Sequence, residues 1–171
     1  DTVVNASLAS IAASAAQIGA EHRLLSGPVF RDGLSDPMQK LALLNEEFDG
    51  YDTVVMLDTD VFMRAGLTES IFDFPGIGVS GPAQKRLKWA YIRKMKGLLH
   101  WRYPYWCGSL WKLDSDLRQR FRAKLPKVDL MKYTDGRLED EGVMHQLARH
   151  CSITDGYMPG GMRWSCPNYD P

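Results

Sequence analysis

Cysteine is scarce in this chain: three residues in 171, Cys107, Cys151 and Cys166. An odd, scattered set gives no disulfide framework, so a small stapled secreted scaffold is excluded and a reducing compartment is favoured. Long apolar runs are missing too. Nothing in the sequence approaches the roughly 18 residues that a membrane span needs, and no basic-then-apolar leader opens it. The expected location is the cytoplasm, although a start at Asp1 rather than methionine is also what a removed targeting or anchor segment would leave. An excess of either charge is absent, with 21 Lys+Arg against 21 Asp+Glu. Whole-molecule charge therefore points to neither nucleic acid nor membrane as partner. No repeat or CxxC pair is present, and His145 and His150 stand on diverging faces of a helix, so zinc is not expected.

What is present suits one well-filled domain over 1–171. Apolar residues make up 44% and charged residues 25%, ordinary values for a globular chain. The spacing predicts a helix over 6–20, a short strand over 22–26, and a helix opened by Ser35-Asp36-Pro37 that runs to Phe48. Strands are expected at 53–57, 76–80 and 105–113, and helices at 115–123 and 141–150. Strands alternating with helices predict an α/β domain with a mostly parallel sheet, whose ligands sit at the carboxyl ends of the strands.

Asp58 and Asp60 fall at such an end, closing the apolar run in YDTVVMLDTDVFM. Carboxylates there are costly unless something pairs with them. Two of them, at i and i+2, are suited to converge on one hard cation, Mn²⁺ or Mg²⁺, that keeps positions for phosphate oxygens and water. A solvated Asp-Thr-Asp turn is the plainer alternative. An EF-hand fails because Met63 stands where glycine is required, and the phosphatase pattern DxDx(T/V) fails at Phe62.

The stretch KLALLNEEFDGYDTVVMLDTDVFM resembles the DxD region of GT-A glycosyltransferases, especially glycogenin and the bacterial lipooligosaccharide galactosyltransferases. The matching residues are Lys40, Tyr51, Asp52, Val54, Leu57, Asp58 and Asp60. YWCGSLWKLDSDL resembles that family's strand-and-helix unit around F-N-(A/S)-G, and LEDEGVMHQLA its D-Q-D helix start. The resemblance implies a GT-A (Rossmann-like) single domain with a mostly parallel central sheet flanked by helices. It also implies a first strand ahead of the 6–20 helix, so that strand is expected to be lacking or reduced to Asp1-Thr2. Trp106 and Cys107 depart from the family's asparagine and alanine, and no histidine follows His150 as a third metal ligand.

The implied activity is metal-dependent transfer of a sugar from a nucleoside-diphosphate sugar to a hydroxyl acceptor, a glycan or glycoprotein. Asp58 and Asp60 are the expected metal ligands, with Thr59, Lys40, Gly108 and Ser109 at the donor. Asp140 and Glu141 are the expected catalytic residues, Asp140 as the base of an inverting reaction or as the holder of donor-sugar hydroxyls in a retaining one. Glu139, Asp140 and Glu141 also suit a helix start for electrostatic reasons alone. The segment from Lys85 to Arg102 carries seven basic residues and no acid, interleaved with Trp89, Tyr91 and Trp101. It fits a phosphate and sugar clamp or a solvated basic helix. Gly160, Gly161, Arg163 and Trp164 fit a closing loop or a surface tail. Alternative functions are a sugar-phosphate nucleotidyltransferase, whose Gly-rich basic loop is not found, and a non-catalytic nucleotide-sugar or carbohydrate-binding module.

Overall fold

The structure, a computed structural model, describes residues 2–64, 66, 69–80, 82–94, 97–134, 138–158 and 165–166, the side chains of 82–84, 165 and 166 excepted. The segment 159–164, the residues from 167 onward and Lys96 therefore lie outside the described residues. So do the expected closing loop at Gly160 to Trp164 and Asp170.

Helix α1 (Thr2–Gln17) begins earlier than its spacing predicts and ends before Gly19, whose φ of 70° belongs to the left-handed region that glycine adopts cheaply. Its small side chains serve docking. Ser7 Oγ donates to the Val61 carbonyl at 2.5 Å, and Ser10 Oγ accepts the Met63 N–H at 3.1 Å. The helix is thereby fastened beside a strand that follows the paired aspartates. The strand expected over 22–26 does not form; these residues pair with nothing regular and are exposed, Leu24 at 55%.

The helix expected through Phe48 is broken up. Helix α2 (Asp36–Gln39) has Ser35 before it and Pro37 in its first turn, then gives way to 3-10 turns at Lys40–Leu44 and Glu46–Phe48. Leu41, Ala42, Leu43 and Leu44 are all buried. Four consecutive buried residues exceed one face of an α-helix, and the tighter, irregular turn lets each reach the core.

Strand β1 (Thr53–Leu57) is the apolar run, and β2 (Phe62–Met63) follows the aspartates. Helix α3 is Pro82–Lys94, β3 is Leu110–Asp114, α4 is Ser115–Lys124, α5 is Glu139–His150 and β4 is Ser165–Cys166. The helix-and-strand chain is α/β, but the expected mostly parallel GT-A-type sheet is overturned. Among the described residues β1 pairs antiparallel with β3, from Thr53 opposite Asp114 to Leu57 opposite Leu110, and β2 pairs antiparallel with β4. The region 76–80 contributes only isolated bridges at Gly78, to Trp111 and Tyr157, and the strand expected from Tyr105 starts at Leu110. The physical reason lies in α3. A parallel crossover needs a helix that covers the sheet. Yet among the described side chains of α3, Lys85, Arg86, Leu87, Trp89, Ala90, Arg93 and Lys94 are all exposed, leaving Lys88, Tyr91 and Ile92 turned inward.

The core lies between the β1–β3 pair and helices α4 and α5, around Leu44, Trp111, Leu113, Phe121, Met144 and Leu147. Two buried cations tie it together through carbonyls. Arg118 donates to the carbonyls of Leu113 (2.8 Å), Phe48 (3.0 Å) and Tyr51, and so fixes the start of β1 against α4. Lys112 donates to those of Ile71 (3.0 Å) and Phe74. Helix α4 is capped by Asp114, with Asp114 Oδ1 accepting the Leu117 N–H at 2.7 Å. Asp114→Ala is expected to cost about 1 kcal/mol, the usual worth of an N-cap, read from urea melts.

Candidate functional site

The antiparallel ladder carries on one rung past β1, because the Asp58 N–H donates to the Ser109 carbonyl at 3.1 Å. A tight turn follows, closed by the Val61 N–H on the Asp58 carbonyl at 3.2 Å. Asp58 is thus half-buried at the strand end, while Thr59 and Asp60 sit exposed on the turn. The turn opens on a cleft of about 700 Å³. Its walls are Ile11, Ala15 and Ile18 of α1, the extended residues 20–27, the start of the 3-10 turn at Lys40, and β1 itself.

Lys40 is the centre of the polar network. Its Nζ lies 3.0 Å from Asp58 Oδ1, 2.5 Å from Asp140 Oδ2 and 3.0 Å from the Gly108 carbonyl. It also stands 5.6 Å from the centre of the Trp111 ring, on the inner side of β3. The break from α-helix to 3-10 turn at Lys40 places this side chain under the strand end. Trp111, a residue that sequence reasoning did not single out, supports it from below. The only available signal was its place on the strand that begins two residues after Gly108.

Asp140 and Glu141 arrive from the first turn of α5. The residues before them are bent: Leu138 has φ 68° and Glu139 φ 32°, values that L-residues rarely take, at an expected cost on the order of 1–3 kcal/mol each. This bend turns Asp140 inward, where it is 4% exposed, and lets Glu141 Oε1 accept the Gly108 N–H at 2.8 Å. Gly108 is therefore gripped at both ends of its peptide. A Cβ there would stand 2.8 Å from Asp140 Oδ2 and 3.0 Å from Lys40 Nζ. Gly108→Ala should push the ion pair apart, at about 1–3 kcal/mol of stability, visible as a lower urea midpoint at pH 7.

Of the eight expected site residues, the structure brings Lys40, Asp58, Gly108, Asp140 and Glu141 into one cluster. Asp60 and Thr59 are on the adjoining turn. Ser109 contributes its carbonyl, while its hydroxyl donates to Cys107 Sγ at 3.2 Å instead of facing the cleft.

Burial raises the Asp140 carboxyl to about 6, against the opposing pull of Lys40. Asp58 is raised for the same reason, with Lys40 again pulling it down. Lys40 itself feels burial lowering it, but Asp140 and Asp58 prevail and hold it above the usual lysine value. Lys40 thus stands between two carboxyl groups that burial raises and its own charge pulls down.

As a cation site the donor set is sparse. Asp60 has no ion pair or hydrogen bond among the described residues, and Asp58 offers the oxygen that Lys40 leaves. Among the described residues no three His, Cys, Asp or Glu side chains converge. Two carboxylates without a cage do not suit a closed structural site. Mn²⁺ and Mg²⁺, by contrast, commonly take only one or two protein carboxylates and complete their shell with substrate phosphates and water. No family model, no curated protein and no solved structure matches this chain.

Proposed function

We propose that the protein is a metal-dependent glycosyltransferase that moves a sugar from a nucleoside-diphosphate sugar to a hydroxyl acceptor on a glycan or glycoprotein. The observation that carries the reading is the placement of the Asp58-Thr59-Asp60 turn at the mouth of the 700 Å³ cleft, directly against the Lys40–Asp140 pair. The resemblance of the DxD stretch to known sugar transferases supports the same assignment.

In this reading the cleft takes the nucleotide, and its diphosphate lies at the turn. Bound there by Asp60 and Asp58, Mn²⁺ or Mg²⁺ would offset the charge of the diphosphate leaving group. Lys40 holds Asp58 and Asp140 in place and pulls both carboxyls down against the effect of burial. Asp140 then serves as the anion at the reacting centre, taking either the acceptor's proton or hydrogen bonds from donor-sugar hydroxyls. Both roles require the carboxylate, so activity should fall on acidification with a midpoint near the Asp140 value of about 6. Asp140→Asn should lower turnover by about 10²–10⁴-fold, the usual worth of a positioned acid or base.

The test is nucleotide release from a panel of nucleoside-diphosphate sugars with Mn²⁺. Slow hydrolysis of at least one donor, abolished by EDTA, is expected. Binding without any turnover across acceptors would reduce the protein to a binding module. Neither binding nor turnover of any donor would overturn the reading outright.

A further inference from the structure

From Phe74 to Leu113 the sequence contains no Asp or Glu, and from Lys85 to Trp106 it contains no Ser, Thr, Asn or Gln either. The polar site uses only Gly108 and Ser109 from the longer stretch. The exposed part of α3 presents Lys85, Arg86 and Arg93 at helical spacing around Trp89, which is 55% exposed. Beside it stand exposed Arg102 and Trp101, 64% exposed and the most open tryptophan among the described residues.

The two parts are fastened together. Lys88 Nζ, next to Trp89 in sequence, donates to the Trp101 carbonyl at 2.8 Å and to that of Tyr103. From inside, the buried His145 accepts the His100 N–H at 2.9 Å through Nε2. The His100 ring stacks on Trp101 with centroids 5.8 Å apart. Trp101 is therefore held outward by an ordered loop.

We infer that the face carrying Trp89, Trp101 and their flanking cations lies on an anionic lipid surface. The chemistry of the patch decides between occupants. Sugar recognition needs carboxylate and amide groups to pair with hydroxyls beside the stacking ring, and Lys85 to Trp106 supplies neither. Indole rings flanked by Lys and Arg instead match the headgroup zone of a bilayer, where the rings enter and the cations meet lipid phosphates. Among the described residues no helix is long and apolar enough to cross a membrane, and this contact requires none. It is independent of the glycosyltransferase reading, and its test needs no activity.

The experiment is co-sedimentation of the full chain with vesicles of phosphatidylcholine alone and with about one-third phosphatidylglycerol, at low and high salt. Binding to the anionic vesicles only, weakened by salt, is expected. Combined Lys85→Gln, Arg86→Gln and Arg93→Gln should weaken it about 100-fold, at roughly fivefold per cation. Trp89→Ala with Trp101→Ala should weaken it by about tenfold or more. The control set Arg31→Gln, Lys127→Gln and Lys132→Gln, exposed cations elsewhere, should bind as the parent does. All these positions are exposed, and unchanged thermal melts confirm the fold. The inference is overturned by no binding to anionic vesicles or by equal losses in the control set. It is equally overturned by tighter binding of a single-stranded RNA in the same buffer, or by self-association through this face that leaves vesicles unbound.

Discussion

Asp60→Ala is expected to lower metal-dependent donor affinity on the order of 10²–10³-fold, with turnover falling at least as far. The size follows from its setting. Asp60 is exposed on the turn and has no partner among the described residues, so its carboxylate is not occupied by the fold. For the same reason its loss should leave stability within about 0.5 kcal/mol, as for other surface substitutions. Asp58→Ala should differ by harming both. Its Oδ1 faces Lys40 at 3.0 Å, and its N–H extends the β1–β3 ladder. A binding loss in Asp60→Ala with an unchanged melt separates a ligand role from a structural one. The check is paired: urea melts and donor titrations on both variants.

Lys40→Gln should produce the largest stability change at this site, and one that depends on pH. At pH 7 it leaves the buried Asp140 and the half-buried Asp58 without their cation, a loss of about 3 kcal/mol, the lower end for breaking a buried pair. The sign with pH follows from Asp140. Its folded value of about 6 lies above the usual 3.8, so the folded state holds the proton more tightly than the unfolded chain. Its ionisation therefore lowers stability as pH rises from about 4 through 6, and Lys40 limits that loss by pulling both Asp140 and Asp58 down. Without Lys40 the folded carboxyls titrate higher and the destabilising window extends toward neutrality. Well below the ordinary carboxylate value of 3.8 the carboxyls are protonated in either state and the variant should approach the parent. Urea melts at about pH 2.5 and pH 7 check this. An equal deficit at both would show that Lys40 contributes packing rather than charge.

The elements that carry the site were largely legible, because each has a local cause. The apolar run ending on Asp58 reads as a strand, Ser35-Asp36-Pro37 reads as a helix start, and the acidic turn at Glu139 to Glu141 reads as another. What sequence did not convey was direction and partner choice. The runs 53–57 and 110–114 are apolar on either pairing, and nothing in them states that they lie antiparallel. The alternation of helix and strand suggested crossovers, but α3 presents its cations and Trp89 to solvent and cannot cover a sheet. The unbroken burial of Leu41 to Leu44 similarly overrode helix propensity. At the site, the resemblance flagged Lys40, Asp58 and Asp140 separately. Their meeting around Gly108 depends on the positive φ of Leu138 and Glu139, for which neither residue type gives a local signal.

Calorimetric titration of nucleoside-diphosphate sugars into the parent chain and Asp60→Ala, each with Mn²⁺ and with EDTA, tests the central claim most directly. The account predicts that at least one donor binds the parent in Mn²⁺, that EDTA removes the binding, and that Asp60→Ala lacks it while melting normally. Binding that persists in EDTA, or that Asp60→Ala retains in full, would contradict a metal–diphosphate site at this turn.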